Sequence, residues 1–110
     1  TAVLLGAFAA HSLQNQLSER LMAAFKTGVQ YQLAHAIAIL LIAVLFIRFP
    51  TRTVALSGIL MFVGISLFSG SLYILALSEL GGFGVVTPIG GVLLVLSWFC
   101  LAFALARESI

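Results

Sequence analysis

The chain of 110 residues is 63% hydrophobic and only 7% charged, with a formal net charge of +2. This length allows one domain, and a mean hydropathy of +1.26 indicates an integral membrane protein, which excludes most classes of soluble enzyme. The five basic residues form no cluster, so nucleic-acid binding has no support.

The charged residues mark the ends of the predicted membrane spans. A spanning helix needs about 20 apolar residues, and the long uncharged stretches of the chain reach that length. We predict an all-α membrane four-helix bundle in a single domain, with spans at about 1–12, 27–47, 53–77 and 88–106. Because the first stretch is too short to span alone and the chain has no initiating Met, we expect the first helix to be truncated at its N-terminus.

The first helix carries small residues at Ala2, Gly6 and Ala10, a spacing that places them on one face. Such a face allows another helix to approach closely. The following segment, 13–27, is amphipathic, with leucines on one face and charges elsewhere. We expect it to lie at the membrane interface or to lead directly into helix two.

Capping and helix-breaking residues predict the boundaries of the remaining helices. Thr27 opens a capping-box pattern at the start of helix two, and Pro50 ends that helix. A glycine pair beginning at Gly81 ends helix three. Thr87 as N-cap and Pro88 as the first helical residue start helix four.

Helix three carries a second pair of small residues, Ser66 and Gly70, which predicts a packing face. Further positions where we expect close helix contact are Gly28, Gly90 and Gly91. Trp98 lies in the middle of helix four rather than at an interface, so we expect it to face lipid or a partner.

His35 is the residue best suited to chemistry, because it lies about two turns inside helix two, where an ionisable group is costly and often functional. Tyr31 and Gln32 precede it by four and three residues, so we expect a polar stripe on this helix. His11 ends helix one near the same membrane surface, since consecutive helices run antiparallel. The candidate ligand-binding residues are His11, Tyr31, Gln32, His35, Ser69 and Tyr73.

Four roles are open for His35. It could share a haem iron with His11, bind a quinone or a lipid headgroup together with Tyr31 and Gln32, or relay protons. It could also hydrogen-bond to Gln32, Tyr31, Tyr73 or a serine of helix three and so hold the bundle together. No nucleophile–base pair, no carboxylate inside a span and no metal-ligand set stands out in the sequence, so we expect no enzyme, no metal and no cofactor.

Four segments, in order, resemble the motifs of one family. Residues 6–13 read GAFAAHSL, similar to its GAFGAHGL signature but with alanine and serine where the family has glycine. Residues 25–36 resemble its F-x-T-G-x-x-Y-x-x-x-H-A segment, residues 68–73 its FSGSLY core, and residues 87–91 the TPxGG start of its last helix. The family is the YgdD/YwdK type of small bacterial inner-membrane proteins, whose function is unknown. The resemblance implies four transmembrane helices and an inner-membrane location, but no reaction.

The small loops and small-residue faces favour a structural or accessory subunit that packs against a larger membrane complex. The alternative is an oligomeric transporter of small molecules or ions, or a lipid- or quinone-binding protein that uses the Tyr31–Gln32–His35 face. The expected partners are the lipid bilayer and either other membrane subunits or further copies of the chain. Basic residues are slightly more frequent beside the helix 2–3 loop and the C-terminus, which places that loop and both termini on the cytoplasmic side.

Overall fold

The computed structural model describes residues 1–8, 19–78 and 86–108, and the secondary structure within these ranges is α-helical. The helices are α1 (Ala2–Phe8), α2 (Glu19–Arg48), α3 (Arg52–Ser78) and α4 (Val86–Glu108). In this part of the chain, α2, α3 and α4 are long and apolar enough to cross a membrane. The predicted all-α class is confirmed.

Helix α2 begins at Glu19, so the described part of segment 13–27 leads directly into helix two, which is one of the two predicted alternatives, and Thr27 does not start the helix. Thr27 lies inside the helix, where its hydroxyl donates a 2.9 Å hydrogen bond to the carbonyl of Ala23. The 30 residues of α2 extend about 45 Å, while the hydrocarbon core is only about 30 Å thick. The charged first turns of α2 therefore continue the helix beyond the apolar layer.

The other helix ends lie close to their predicted positions. Thr51 caps α3 by accepting a 3.2 Å hydrogen bond from the backbone N–H of Val54. Helix α4 begins at Val86, so Thr87 lies in its first turn instead of at the N-cap. Pro88 also lies in that turn, where a missing N–H breaks no helical hydrogen bond. The predicted end of helix three at Gly81 falls outside the described residues.

The helices form a thin layer rather than a closed bundle. Helix α3 packs against α2 on one side and α4 on the other, and α1 packs against α2. Among the helices described, no Cα of α2 lies within 8 Å of a Cα of α4. The molecule measures 53 × 26 × 15 Å, so its thinnest dimension is little more than the 10–12 Å diameter of one helix.

Small residues at every seventh position form the seam between α3 and α4. The buried positions are Ser57, Gly64 and Ser71 on α3, and Gly90, Ser97 and Ala104 on α4. A Cβ built at Gly90 would overlap the backbone nitrogen of Phe68 and lie 2.8 Å from the carbonyl oxygen of Gly64. The two backbones therefore touch at this crossing. Gly64 was not among the predicted packing residues, although its spacing from Ser57 and Ser71 is a readable signal.

A second repeat of seven forms the seam between α2 and α3. Its buried positions on α2 are Leu21, Gly28, His35 and Ile42. A Cβ at Gly28 would lie 2.8 Å from Cε1 of Tyr73, and the Ser69 hydroxyl donates a 2.7 Å hydrogen bond to the Gly28 carbonyl. His35 thus occupies a core position of this seam.

The remaining predicted packing residues divide into packed and open positions. Ala2 is buried, and a Cβ at Gly6 would lie 3.3 Å from Cγ1 of Val29, whereas Ala10 falls outside the described residues. The predicted packing face of Ser66 and Gly70 is not filled by the described helices, because Ser66 is exposed and a Cβ at Gly70 would meet nothing within 4 Å. The serine hydroxyl bonds instead to a carbonyl of its own helix.

Candidate ligand-binding site

His35 bridges α2 and α4 through its ring Nε2, while Nδ1 bonds within α2. The indole N–H of Trp98 donates to Nε2 over 3.1 Å, and Nδ1 lies 2.7 Å from the backbone carbonyl of Tyr31. Since Nε2 accepts, the proton of the neutral ring sits on Nδ1, which donates to that carbonyl. Iron ligation or proton relay by this ring would require one of these bonds to break. The contacts match the hydrogen-bonding role considered for His35, with Trp98 as a partner that the sequence analysis missed.

Trp98 faces lipid only in part. Its side chain is 46% exposed, but its indole N–H donates to His35. The expectation that Trp98 faces lipid or a partner therefore holds for the exposed part of the ring and not for the N–H. An indole N–H at bilayer depth has no water to bond to and needs an acceptor within the protein. This requirement is the signal that could have paired Trp98 with a polar residue on another helix.

The rings of Tyr31, His35, Phe68 and Trp98 form a continuous aromatic wall. The Tyr31 ring stacks on His35 at a centroid distance of 6.0 Å and meets the Phe68 ring of α3 at 4.9 Å in a tilted arrangement. The Trp98 ring meets His35 edge-on at 5.8 Å. The aromatic wall therefore includes rings from α2, α3 and α4.

A cavity of about 610 Å³ lies against this aromatic wall, between α2 and α4. It exists because α2 and α4 do not pack against each other and because Gly91, on the α4 side, has no side chain to fill it. The rim carries exposed apolar side chains of α4, including Val92 and Val95. The opening therefore faces sideways, toward the acyl chains of a bilayer. Its volume lies within the range of about 300–1,000 Å³ that is usual for small-molecule sites.

The predicted polar stripe on α2 divides between two faces. Tyr31 and His35, four residues apart, line the cavity, while Gln32 points to the other side. Neighbouring helical residues are separated by about 100°, so Gln32 cannot share the face of Tyr31. Its amide accepts a 2.6 Å hydrogen bond from the Tyr73 hydroxyl and donates another to the hydroxyl of Thr1.

Gln32 and Tyr73 lie at one end of a second depression, which we call the α2–α3 groove. Its upper part has a volume of about 410 Å³ and is lined in part by Ser66, Ser69 and Gly70. Its lower part, also about 410 Å³, runs on between α2 and α3, and the two parts share Ile39 and Phe62. The candidate ligand-binding residues are thus distributed over two separate sites, and His11 falls outside the described residues.

No group of three or more His, Cys, Asp or Glu side chains that could hold a metal ion is found in ranges 1–8, 19–78 and 86–108. In these ranges, the serine hydroxyls of the spans are bonded to helix carbonyls, and Ser71 also contacts the hydroxyl of Thr87 at 2.5 Å. The polar chemistry seen in the site is therefore hydrogen bonding around two apolar depressions.

A family described as "Protein of unknown function (DUF423)" matches residues 5–91 of the chain. The chain belongs to this family. It is 40% identical to the UPF0382 membrane protein YwdK of Bacillus subtilis over 107 residues, which cover 96% of the chain and 87% of the relative. It is 43% identical to the UPF0382 inner membrane protein YgdD of Escherichia coli, with 98% of the chain and 85% of the relative covered. No solved structure matches the chain.

Membership of the DUF423 family confirms the resemblance seen in the four sequence motifs. The relatives are named as membrane proteins, and the described part of this chain has three helices that could span a bilayer. The chain is therefore an all-α membrane protein of a family whose function is unknown.

Proposed function

We propose that the protein is a non-enzymatic accessory component of the bacterial inner membrane, and that it packs against an apolar transmembrane helix of a larger membrane protein. The observation that carries this proposal is the α2–α3 groove: Thr1 and Leu5 border its upper part, and no described helix lies in its lower part. The relative YgdD is named as an inner membrane protein, which supports the location.

The lining of the groove suits a helix. Ala36 and Ala43 on α2 and Ser66 and Gly70 on α3 keep its walls low, so a helix backbone could approach closely. In a bilayer, helix association depends on such van der Waals packing and on interhelical hydrogen bonds, because lipid tails are as apolar as leucine. Gln32, at the upper end of the groove, adds a polar anchor.

Charge at one end of the molecule supports the proposed orientation. Arg48, Arg52 and Arg107 lie at the end of α2, the start of α3 and the end of α4, and Arg52 and Arg107 line one shared depression. Cytoplasmic loops carry the excess of basic residues in membrane proteins. The α2–α3 loop and both termini therefore belong on the cytoplasmic side in this proposal.

Site-specific cross-linking in the native membrane tests the accessory role. A photo-reactive amino acid in place of Ala43 should cross-link to one apolar segment of a different membrane protein, identified by mass spectrometry of the joined peptides. The same group in place of Ala102, which is exposed on α4, serves as the control and should not capture that segment. Gly70→Leu should abolish the cross-link, because a Cβ at Gly70 meets nothing within 4 Å and the rest of the leucine side chain would extend into the groove.

Three other cross-linking results would contradict the proposal. Cross-links to a second copy of the chain would make the groove a homo-oligomer interface. Cross-links within the same chain, or to lipid alone, would show that the groove accepts no partner protein. Helical content measured by circular dichroism should be the same for Gly70→Leu and the parent, so that loss of the cross-link reports docking rather than folding.

A further inference from the structure

The cavity between α2 and α4 is distinct from the α2–α3 groove and carries its own ligand preference. We propose that it binds a flat, uncharged ring with a hydrogen-bond-accepting carbonyl and an apolar tail, the chemistry of a prenylated quinone. The proposal concerns binding alone, with no redox step. It stands on the cavity and therefore does not depend on the accessory role.

The shape and lining of the cavity favour a planar ring. The rings of Tyr31, Phe68 and Trp98 line the cavity. The ring centroids of Tyr31 and Phe68 are 4.9 Å apart, so these two rings pack against each other in the lining. Aromatic rings pair well in offset or edge-to-face arrangements. Gly91 opens the facing wall, since the nearest atom to a Cβ built there is 3.7 Å away, on Phe68. We call the space beside Gly91 and Phe68 the slot, and a planar group lying there would contact the aromatic rings that line the cavity.

The polar content of the cavity selects an uncharged acceptor. None of the residues that line it is charged, so a phosphate headgroup would find no counter-ion there. The ring nitrogens of His35 are already bonded. The Tyr31 hydroxyl has no hydrogen-bond partner within the part of the chain that the structure describes, and it is the donor that remains for a ligand. A carbonyl oxygen is a suitable acceptor for this single donor.

The depth of the cavity gives the ligand an orientation. Tyr31 precedes Arg48 by seventeen residues, which corresponds to about 26 Å along the helix. It therefore lies near the far edge of a hydrocarbon layer about 30 Å thick. Pro88, at the start of α4, lines the same end of the cavity, while Trp98 lies ten residues further along α4. The ring would sit at the Tyr31 end, with its tail leaving through the apolar rim into the lipid.

Trp98 is the only tryptophan of the chain, so its fluorescence reports the cavity directly. The protein is reconstituted in phosphatidylcholine vesicles and titrated with a decyl-tailed benzoquinone, which quenches indole emission on contact. Saturable quenching is expected for the parent protein. Tyr31→Phe keeps the ring wall but removes the donor, so the dissociation constant should rise roughly 3- to 10-fold.

Two further variants separate binding from collisions within the lipid. Gly91→Leu fills the slot and should leave only the linear, non-saturating quenching caused by quinone dissolved in the bilayer. Ala102→Leu adds the same bulk on the exposed face of α4, outside the cavity, and should bind like the parent. Linear quenching of equal slope in all four proteins would overturn the proposal. Loss of saturation when the vesicles contain phosphatidylglycerol would show that an anionic lipid takes the cavity, which also overturns it.

Discussion

Replacing Gly90 by alanine should separate α3 from α4, whereas the same change at the next residue should not. A Cβ at Gly90 would overlap the backbone nitrogen of Phe68 and lie 2.8 Å from the carbonyl oxygen of Gly64. These are backbone atoms of α3, which cannot rotate away as a side chain would. At Gly91 the nearest atom to the new Cβ is 3.7 Å away, an ordinary van der Waals contact.

The difference between the two variants isolates the cost of the overlap. Alanine raises helix propensity over glycine by up to about 1 kcal/mol at either position, so this gain cancels in the comparison. Overpacking costs about 1–3 kcal/mol, and rigid backbone on the α3 side favours the upper part of that range. Gly90→Ala should therefore be less stable than Gly91→Ala by about 2–3 kcal/mol.

Reversible unfolding in mixed micelles, with sodium dodecyl sulfate as denaturant and circular dichroism as the signal, measures the two free energies of unfolding. Gly64→Ala is a third variant, expected between the other two, because its Cβ would lie 3.0 Å from the backbone nitrogen of Leu94. If Gly90→Ala and Gly91→Ala agree to within about 0.5 kcal/mol, the backbones of α3 and α4 do not meet at this crossing.

Two other predictions concern hydrogen bonds between the helices, and a third concerns the orientation of the chain in the membrane. His35→Leu removes both ring hydrogen bonds and should lower the free energy of unfolding by about 0.6–2 kcal/mol in the same assay. The double variant with Trp98→Phe should lose little more stability than His35→Leu alone. If the losses of the two single variants simply add, the hydrogen bond between His35 and Trp98 does not stabilise the protein. Tyr73→Phe removes the 2.6 Å hydrogen bond to Gln32 and should lower the free energy of unfolding by about 0.5–1.5 kcal/mol. An unchanged unfolding midpoint would show that this hydrogen bond does not stabilise the protein. In a variant whose native cysteine is replaced by alanine, Pro50→Cys should react with a membrane-impermeant maleimide only after the cytoplasmic side is exposed, and labelling of intact spheroplasts would reverse the orientation.

Composition was sufficient to predict the all-helical membrane fold, because charges are confined to the stretches that flank the long apolar spans. The capping-box pattern at Thr27 does not mark the start of α2, and average hydropathy does not locate it either, since hydropathy reports where the bilayer ends rather than where the helix ends. The residues from Glu19 to Lys26 are polar enough to leave the hydrocarbon core, yet they continue the α-helix with its backbone hydrogen bonds intact. The membrane boundary and the helix boundary lie at different residues, and average hydropathy predicts only the membrane boundary.

Part of the candidate site could also be predicted from the sequence. The spacing of Tyr31 and His35 places them on one face of a helix, and the structure brings them to one cavity. The contact between His35 and Trp98 depends on how far α4 is displaced along α3, and nothing in the local sequence states that register. The small residues at every seventh position around Gly64 are the one signal from which it could have been inferred.

The order of packing has a consequence for how the protein is made. In the described part of the chain, α1 packs on α2, α2 on α3, and α3 on α4, so each helix finds its neighbour in the helix synthesised just before it. Contacts between sequence neighbours form with the least loss of chain entropy. Each new helix can therefore dock as it leaves the insertion machinery, without waiting for the end of the chain. The α2–α4 cavity is completed last, when Trp98 reaches His35, so a nascent chain could bind the proposed ligand only after α4 is in the membrane.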